Sequence, residues 1–353
     1  MNEESRPHPG GRWLYDLDRT TLNRIVVDLG MPRYTADQVF GWLYQRRNPD
    51  MASWTDISQA HRRILAAHFS AVLPPIDREF RDSTGTRKIL LRLHDGKGVE
   101  AVWIPEAGRS TLCISTQVGC VMGCAFCATG SMGFQRNLSS GEIIAQVLVL
   151  LRFRSRPDER INIVLMGMGE PLLNLQATLE ALAVITGNPG MGISSRHITV
   201  STVGLLEPLA ELERRFPRVK ISLSLHAADD DTRRRLMPRA AAFHDISELL
   251  QYFRRPRHYA VTFEYVLISG INASVEHARR LAARLQRVPG KINLIPLNPV
   301  SGFPFKAPTA REENEFLRIL VDAGLSVTIR RSRGRDIGSA CGQLAGDATG
   351  DAR

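Results

Sequence analysis

The chain has 353 residues, which is long enough for one large domain and a smaller one, and 43% of its residues are hydrophobic, which is enough for a substantial core. Its 46 basic and 36 acidic residues give a formal charge of +10, which favours an anionic partner such as nucleic acid. The first residues are polar and predict no secretory signal. The longest apolar run, Ile143 to Leu151, is too short to span a bilayer. We therefore expect a cytoplasmic protein without a membrane partner.

The first region with a clear pattern, residues 1–75, is predicted to be a small helical domain. Apolar residues recur at helical spacing from Leu22 to Leu29. The segment Thr35–Gln38 has the composition of a capping box, which predicts that a second helix opens there. A third helix is predicted from Ser58 to His68.

The next region, residues 76–108, is predicted to be a β-hairpin that links this domain to the rest of the chain. Ile89, Leu91 and Leu93 are apolar at alternate positions, Asp95-Gly96 has the composition of a turn, and Val99–Ile104 is predicted to be the return strand. Glu100 stands in that strand between apolar neighbours. It faces either solvent or a functional site, and the pattern alone leaves both interpretations open.

From residue 109 onwards predicted strands and helices alternate. The strands are predicted at Thr111–Thr116, Ile161–Met166, His197–Ser201, Ile221–His226, Val261–Leu267 and Ile292–Leu297. The helices are predicted at Ser140–Phe153, Leu175–Thr186, Leu206–Phe216, Ile246–Arg255, Val275–Gln286 and Ala310–Ala323. Repeated β–α units require a parallel sheet with right-handed crossovers, so the fold class is α/β, with a partial (β/α)6 barrel over residues 109–300. Residues 301–353 are predicted to be a C-terminal extension.

Three of the five cysteines lie close together, at Cys120, Cys124 and Cys127. The spacing C-x-x-x-C-x-x-C is typical of an iron–sulfur site. A [4Fe–4S] cube held by three cysteines keeps one iron open, which indicates chemistry rather than structure. Two other interpretations remain at this point: a structural zinc site with Cys113 as the fourth ligand, and unrelated core cysteines.

Other motifs follow the predicted strands at their carboxyl ends, where β/α folds bind their ligands. They contain Gly169, Glu170, Ser201, Ser224, Leu225, His226 and Asn298. Glycines let a backbone approach a ligand closely, and a carboxylate beside them can hold an ammonium group. The G-x-G here is not the full dinucleotide fingerprint and no phosphate loop is present, so the motif does not indicate NAD or ATP.

Further segments extend these motifs over nearly the whole chain. They include LYDLDRTTL, TLCISTQVGCVMGCAFCATG, LMGMGEPLLN, SLSLHAADDDTRRRLMP, FEYVLISGIN and RSRGRDIGSACGQLAG. In these segments the chain resembles the RlmN/Cfr family of radical S-adenosylmethionine (SAM) enzymes, and all five cysteines fall in family positions. Members of this family methylate an adenine of large-subunit ribosomal RNA, and some also act on transfer RNA.

The resemblance implies a role for each motif. It implies that Cys120, Cys124 and Cys127 bind one [4Fe–4S] cluster, with SAM on the open iron. The residues implied to bind SAM are Gly169, Glu170, Ser201, Ser224, Leu225, His226 and Asn298. It further implies that Cys341 carries the methyl group, that Cys113 releases the carrier as a disulfide, and that Glu100 is the general base.

The implied reaction uses two SAM molecules per turnover, one as methyl donor to Cys341 and one as radical source. Adenine C2 is electron-poor, so it accepts a carbon radical rather than attacking SAM, and a covalent protein–RNA intermediate follows. One alternative is a C8-adenine methylase of the same family, because no residue of the sequence decides between the two carbons. The other is a zinc-stabilised RNA-binding module without catalysis.

The resemblance also implies the partners. They are 23S ribosomal RNA before full assembly, transfer RNA as a further substrate, and a protein that donates reducing electrons. The N-terminal domain and four arginine-rich segments are the predicted RNA contacts, since arginines bind phosphates. These segments are residues 152–160, 233–239, 254–257 and 330–335. The target base must leave its stack to reach the barrel, which favours RNA that is not fully packed.

Overall fold

A computed structural model describes residues 11–156, 158–331 and 333–345 of the chain. The helices are α1 (Arg19–Asp28), α2 (Thr35–Phe40), α3 (Gln59–His68), α4 (Ala128–Ser131), α5 (Ser140–Leu150), α6 (Leu175–Thr186), α7 (Leu206–Arg215), α8 (Asp230–Leu236), α9 (Ile246–Phe253), α10 (Val275–Leu285) and α11 (Ala310–Asp322). The strands are β1 (Arg12–Trp13), β2 (Phe69–Ser70), β3 (Ile76–Arg81), β4 (Arg87–Arg92), β5 (Gly98–Glu106), β6 (Arg109–Cys113), β7 (Gln117–Gly119), β8 (Phe134–Asn137), β9 (Arg160–Leu165), β10 (Ile198–Thr202), β11 (Lys220–Ser224), β12 (Val261–Leu267), β13 (Gly290–Pro296) and β14 (Val327–Ile329).

The N-terminal helices pack around a small apolar core and dock on α5 of the barrel. Leu22 of α1 and Leu65 of α3 are fully buried in this core. The carboxylate of Asp16 accepts a hydrogen bond from the Gly141 N–H at 3.1 Å, at the first turn of α5. The helical domain is therefore held against the barrel through a helix N-terminus, where an acidic side chain is favourable.

The predicted capping box at Thr35 is wrong. The backbone of Tyr34 is already helical, and the Gln38 N–H donates to the Tyr34 carbonyl oxygen at 3.1 Å. Thr35 is thus the first helical residue rather than the cap, because a cap requires an extended backbone. By contrast, the capping box at Ser139 and Glu142, which opens α5, is present.

The predicted hairpin is confirmed, with β4 and β5 antiparallel around the Asp95-Gly96 turn. It is not free-standing: β3 pairs with β4, and β5 pairs antiparallel with β6, the first barrel strand. Sequence analysis missed β3 because its residues are mostly polar and exposed. The described strands therefore form one ten-stranded sheet in the order β14-β13-β12-β11-β10-β9-β6-β5-β4-β3.

The barrel part of this sheet is parallel, as predicted. Strands β6, β9, β10, β11, β12 and β13 pair in that order, and β14 adds a further parallel strand. Strand β12 has the predicted bounds, and the ends of the other five predicted strands differ from the prediction by at most three residues, as is usual for element boundaries. Within the described ranges, every helix is too short or too polar to traverse a lipid bilayer.

Candidate active site

The cysteine loop between β7 and α4 forms one wall of a cavity at the carboxyl ends of the barrel strands. The side chains of Cys120, Cys124 and Cys127 all line this cavity, which has a volume of about 160 Å³. Gly119, with φ of 75°, starts the loop, and any side chain there would collide with the carbonyl oxygen of Gly133. The left-handed backbone and this close approach both require glycine.

The three thiols lie in an apolar setting that disfavours the free thiolate. Burial raises the pKa of Cys120 to about 12, raises the pKa of Cys124 well above its usual range, and also raises that of Cys127. Metal binding overcomes this effect, because a coordinated thiol loses its proton. We therefore expect these three cysteines to become thiolates when they bind a metal centre.

The donor set fits an iron–sulfur cube. Cys120, Cys124 and Cys127 line one cavity, and Cys120 and Cys127 both act electrostatically on Cys124, so the three sulfurs lie near one another. In a [4Fe–4S] cube each thiolate binds a different iron, so three sulfurs spread around one cavity meet its requirement.

Residues at the ends of neighbouring strands form the opposite wall. Ser201 of β10 and Ser224 of β11 line the cavity, and their hydroxyl oxygens are 3.4 Å apart. Gly169 and His226 also line it, and the His226 ring contacts the Phe126 ring edge-on, with centroids 5.1 Å apart. Leu225 is fully buried and is not among the described residues that line the cavity.

His226 is neutral and fixed in orientation. Its ring Nδ1 accepts a hydrogen bond from the Val266 N–H at 3.0 Å, and its backbone is left-handed, with φ of 55°. Burial, helped by the nearby charge of Arg233, lowers the pKa of His226 to about 3. A neutral ring at the cavity wall can pack against an uncharged ligand but cannot supply a proton near neutrality.

Glu170 is buried and both of its carboxylate oxygens are held by backbone. Oε1 accepts from the Leu172 N–H at 3.1 Å and Oε2 accepts from the Val203 N–H at 2.9 Å. Burial raises the pKa of Glu170 to about 7, and the hydrogen bonds oppose the shift. The side chain lines the cavity. A cationic ligand beside it would therefore favour its charged form.

The loop of residues 338–345 closes the cavity from the C-terminal side. The Ala128 N–H donates to the Gly342 carbonyl oxygen at 2.7 Å, and Asn298 Nδ2 donates to the Cys341 carbonyl oxygen at 3.2 Å. Cys341 is thereby placed beside the cysteine loop. Asn298, predicted to bind SAM, lines the cavity and also holds this loop.

Cys341 stands in the wall between two cavities. It lines the first and also a second one of about 180 Å³. The polar side chains that border the second cavity include Glu106, Cys113, Arg330, Arg331, Arg333 and Ser339. Burial raises the pKa of Cys113 to about 12, with a further contribution from Cys341. The two thiols thus share one compartment, and the guanidinium of Arg330 borders both cavities.

Glu100 is deeply buried, so the interpretation of a solvent-facing Glu is wrong. It is not among the described residues that line either of the two cavities. Its carboxylate forms an ion pair with Lys88 at 3.0 Å and accepts a hydrogen bond from the Ala345 N–H at 2.8 Å. Ala345 belongs to the same loop as Cys341. The structure therefore connects Glu100 to the Cys341 loop rather than to open space.

The structure also corrects one predicted RNA contact. Arg233 is fully buried, and its guanidinium donates to the carbonyl oxygens of Ser224, Leu225 and Val203 at 2.7 to 3.0 Å. It fixes the ends of two strands that line the cavity. Its position inside the run RRR hides this role, because adjacent residues of a helix face different directions.

Two family models match the chain. The model of the radical SAM superfamily matches residues 114–282, and the model of the ribosomal RNA large subunit methyltransferase N-terminal domain matches residues 13–70. The second match covers most of the helical domain, and the first covers most of the barrel.

Relatives of similar length share about two-fifths of their residues with the chain. A protein of Desulfotalea psychrophila named dual-specificity RNA methyltransferase RlmN is 42% identical over 95% of both chains. A protein of the same name from Halorhodospira halophila is 43% identical over 98% of this chain and 96% of its own. A crystal structure of a radical SAM methyltransferase from Sphaerobacter thermophilus is 42% identical, has a TM-score of 0.88, and aligns over 94% of this chain and 98% of its own.

Proposed function

Because the chain belongs to the RlmN family of radical SAM RNA methyltransferases, we propose that it methylates C2 of an adenine in 23S ribosomal RNA and in transfer RNA. The observation that carries this proposal is the position of Cys341 between a cavity lined by three cysteines and a cavity bordered by arginines. A methyl carrier must face its source on one side and RNA on the other.

The residues of the first cavity are proposed to hold the cofactors. Cys120, Cys124 and Cys127 would bind the [4Fe–4S] cluster. Gly169, Glu170, Ser201, Ser224, His226 and Asn298 would contact SAM, and Leu225 would support the wall from behind. When bound, the cluster and SAM supply the methyl group and the radical that activates it. Glu170 would bind the ammonium group of SAM, which matches its buried carboxylate.

Cys341 is proposed to carry the methyl group. Adenine C2 lies between two ring nitrogens and is electron-poor, so it does not act as a nucleophile toward a methyl donor. A thiolate is a competent nucleophile, and Arg330, which borders both cavities beside Cys341, provides a nearby positive charge. Cys341 would therefore receive the methyl group and present it to the base in the second cavity.

Glu100 and Cys113 are proposed to complete the reaction. The adduct joins Cys341 to adenine through the transferred carbon, and the proton on C2 must leave before the product is free. Glu100 would take that proton. Cys113 shares the second cavity with Cys341, so it would form the disulfide that releases the product. A reducing protein would restore the two thiols, and a cytoplasmic setting would keep all five cysteines reduced.

RNA is proposed to dock over the second cavity. Arg331 and Arg333 border it, and Arg47, Arg152 and Arg156 border a groove between the helical domain and the barrel. Both sets suit phosphate contacts, which supply affinity and little sequence information. The target adenine would leave its stack to enter the cavity beside Cys341.

The decisive experiment is incubation of the reduced, cluster-loaded protein with SAM and unmodified RNA, followed by nucleoside mass spectrometry. We expect 2-methyladenosine in both ribosomal and transfer RNA. Formation of 8-methyladenosine would instead support the C8 alternative. No modified nucleoside, together with zinc in place of iron and sulfide in anaerobically purified protein, would support the RNA-binding module without catalysis.

A further inference from the structure

A buried ion pair joins two strands of the hairpin. Lys88 of β4 and Glu100 of β5 lie on the same face of the antiparallel ladder, with Nζ and Oε1 3.0 Å apart. Their side chains are 8% and 2% exposed. Two charges so far from water require each other, because removal of either leaves a buried charge without compensation.

Both members of this pair also hold the loop that carries Cys341. Lys88 Nζ donates to the Gly338 carbonyl oxygen at 3.3 Å. Glu100 Oε2 accepts from the Ala345 N–H at 2.8 Å. Gly338 and Ala345 lie on either side of Cys341 in the chain, so one ion pair fixes both ends of the loop.

We propose that Lys88 is a positioning residue that acts through Glu100. This inference rests on the proposed function, in which Glu100 takes the C2 proton. The contact of Oε2 with Ala345 comes from a loop, whereas the contact of Oε1 with Lys88 comes from the neighbouring strand. An adenine that takes the place of Ala345 frees Oε2 to accept the proton, and Lys88, bound to Oε1, keeps the carboxylate in place.

The chemistry of a buried carboxylate supports this role. A carboxylate oxygen has two lone pairs, so Oε1 remains bound to Lys88 when Oε2 accepts a proton. Without Lys88, Oε1 loses the ion pair that holds it, and a base that is not held within hydrogen-bond reach of its proton transfers that proton poorly. Lys88 borders neither cavity among the described residues, so its effect on the reaction must pass through Glu100 or the loop.

The test follows three steps in Lys88→Met and Glu100→Gln variants of the cluster-loaded protein. Mass spectrometry measures methylation of Cys341, and denaturing gels with labelled RNA measure formation and release of the covalent adduct. We expect both variants to methylate Cys341 and to form the adduct. Release should slow about 100-fold in each, as for loss of a general base, so that the adduct accumulates.

Lys97→Met is the matched control. Lys97 lies at the turn of the same hairpin, donates to Gln135 at 2.8 Å and borders neither cavity. The Lys97→Met variant should release the adduct as fast as the wild-type protein. The inference is overturned if folded Lys88→Met also does so, or if it loses Cys341 methylation to the same extent as release. If wild type itself neither methylates Cys341 nor forms an adduct, it is the proposed function that fails.

A double variant keeps the test informative if Lys88→Met does not fold. Lys88→Met/Glu100→Gln contains no unpaired charge at this position, so the cost of a lone buried charge is removed. If Lys88 acts through Glu100, the double variant should release the adduct at the same rate as Glu100→Gln alone. Further slowing in the double variant would overturn the inference.

Discussion

Cys113 and Cys341 have different surroundings although they share one cavity. Cys341 borders both the first and the second cavity, whereas Cys113 of β6 borders only the second of the two. In the proposed reaction, the methyl carrier must reach both cavities, whereas the thiol that resolves the adduct needs to reach only the cavity that receives RNA. The positions of the two residues therefore match the separate roles that we propose for them.

This difference predicts opposite failures of two variants. Cys341→Ala should lose all methylation, because no sulfur remains to carry the methyl group. Cys113→Ala should form the adduct and fail to release it, so ribonuclease-treated protein should show a nucleotide-bearing band on a denaturing gel. Free turnover of Cys113→Ala without trapped RNA would mean that Cys113 is only a core thiol.

Glu170 predicts a pH dependence of stability in the protein without cofactors. Its pKa is about 7 in the folded state against a usual 4.5, so the folded state binds the proton more tightly than the unfolded state. Below pH 4.5 this tighter proton binding contributes its full stabilisation. As the pH rises through 7, the free energy of unfolding falls by about 3 kcal/mol.

The measurement is urea unfolding of wild type and Glu170→Gln across this pH range. The glutamine cannot ionise, so the difference between the two unfolding free energies should change by roughly the predicted amount between pH 4.5 and 7. Parallel curves for the two proteins would contradict a raised pKa at this position.

At the scale of the elements, the short helix α8 serves two purposes on two faces. Its inner face presents Arg233 to three carbonyl oxygens at the ends of β10 and β11. Its outer face presents Arg234, which is 63% exposed and pairs with Asp231. One helix thus closes the cavity wall and offers charge to solvent.

We therefore expect Arg233→Met to lower the free energy of unfolding by about 3 kcal/mol or more, because several buried carbonyl groups lose their donor. Iron retention should also fall, since the wall opposite the cysteines loosens. Arg234→Met is the matched control on the same helix and should change stability by less than about 0.5 kcal/mol. Equal effects of the two substitutions would show that Arg233 has no special structural role.

On the scale of the whole molecule, the chain brings three distant segments together. The cysteine loop follows β7, the hairpin precedes it, and residues 338–345 return from the end of the described chain to contact the hairpin and α4, the helix directly after the cysteine loop. The first cavity, which we propose for the cofactors, and the second, which we propose for RNA, share the resulting wall. Arg331 and Arg333 border the second cavity, so part of the basic excess of the chain lies there.

RNA affinity should consequently fall steeply with salt, because arginines that meet phosphates release counterions. Arg331→Gln or Arg333→Gln should reduce the slope of log affinity against log salt by about one each. Arg214→Gln should leave the slope unchanged, since this exposed arginine of α7 borders neither of the two cavities nor the groove between the helical domain and the barrel. Filter binding over a salt series measures all three slopes. A salt-independent affinity would contradict phosphate contacts.

The sequence by itself predicted the alternating strands and helices, the hairpin and the cysteine loop. These features follow from local rules. The period of apolar side chains indicates a strand or a helix, and the spacing of the cysteines indicates the kind of metal centre that they bind. The sequence prediction was wrong about the capping box at Thr35, and it missed β3. Whether Thr35 caps or enters a helix depends on the backbone before it, and a polar edge strand carries little hydrophobic pattern.

The tertiary structure decided which residues of distant segments meet. The sequence placed Glu100 on a strand and Cys341 on a terminal loop, but it contained no sign that Lys88 would join both. Arg233 likewise looked like one member of a basic run until the fold buried it. Such contacts arise from the packing of elements far apart in the chain, and a buried charge is recognisable only when its partner is known.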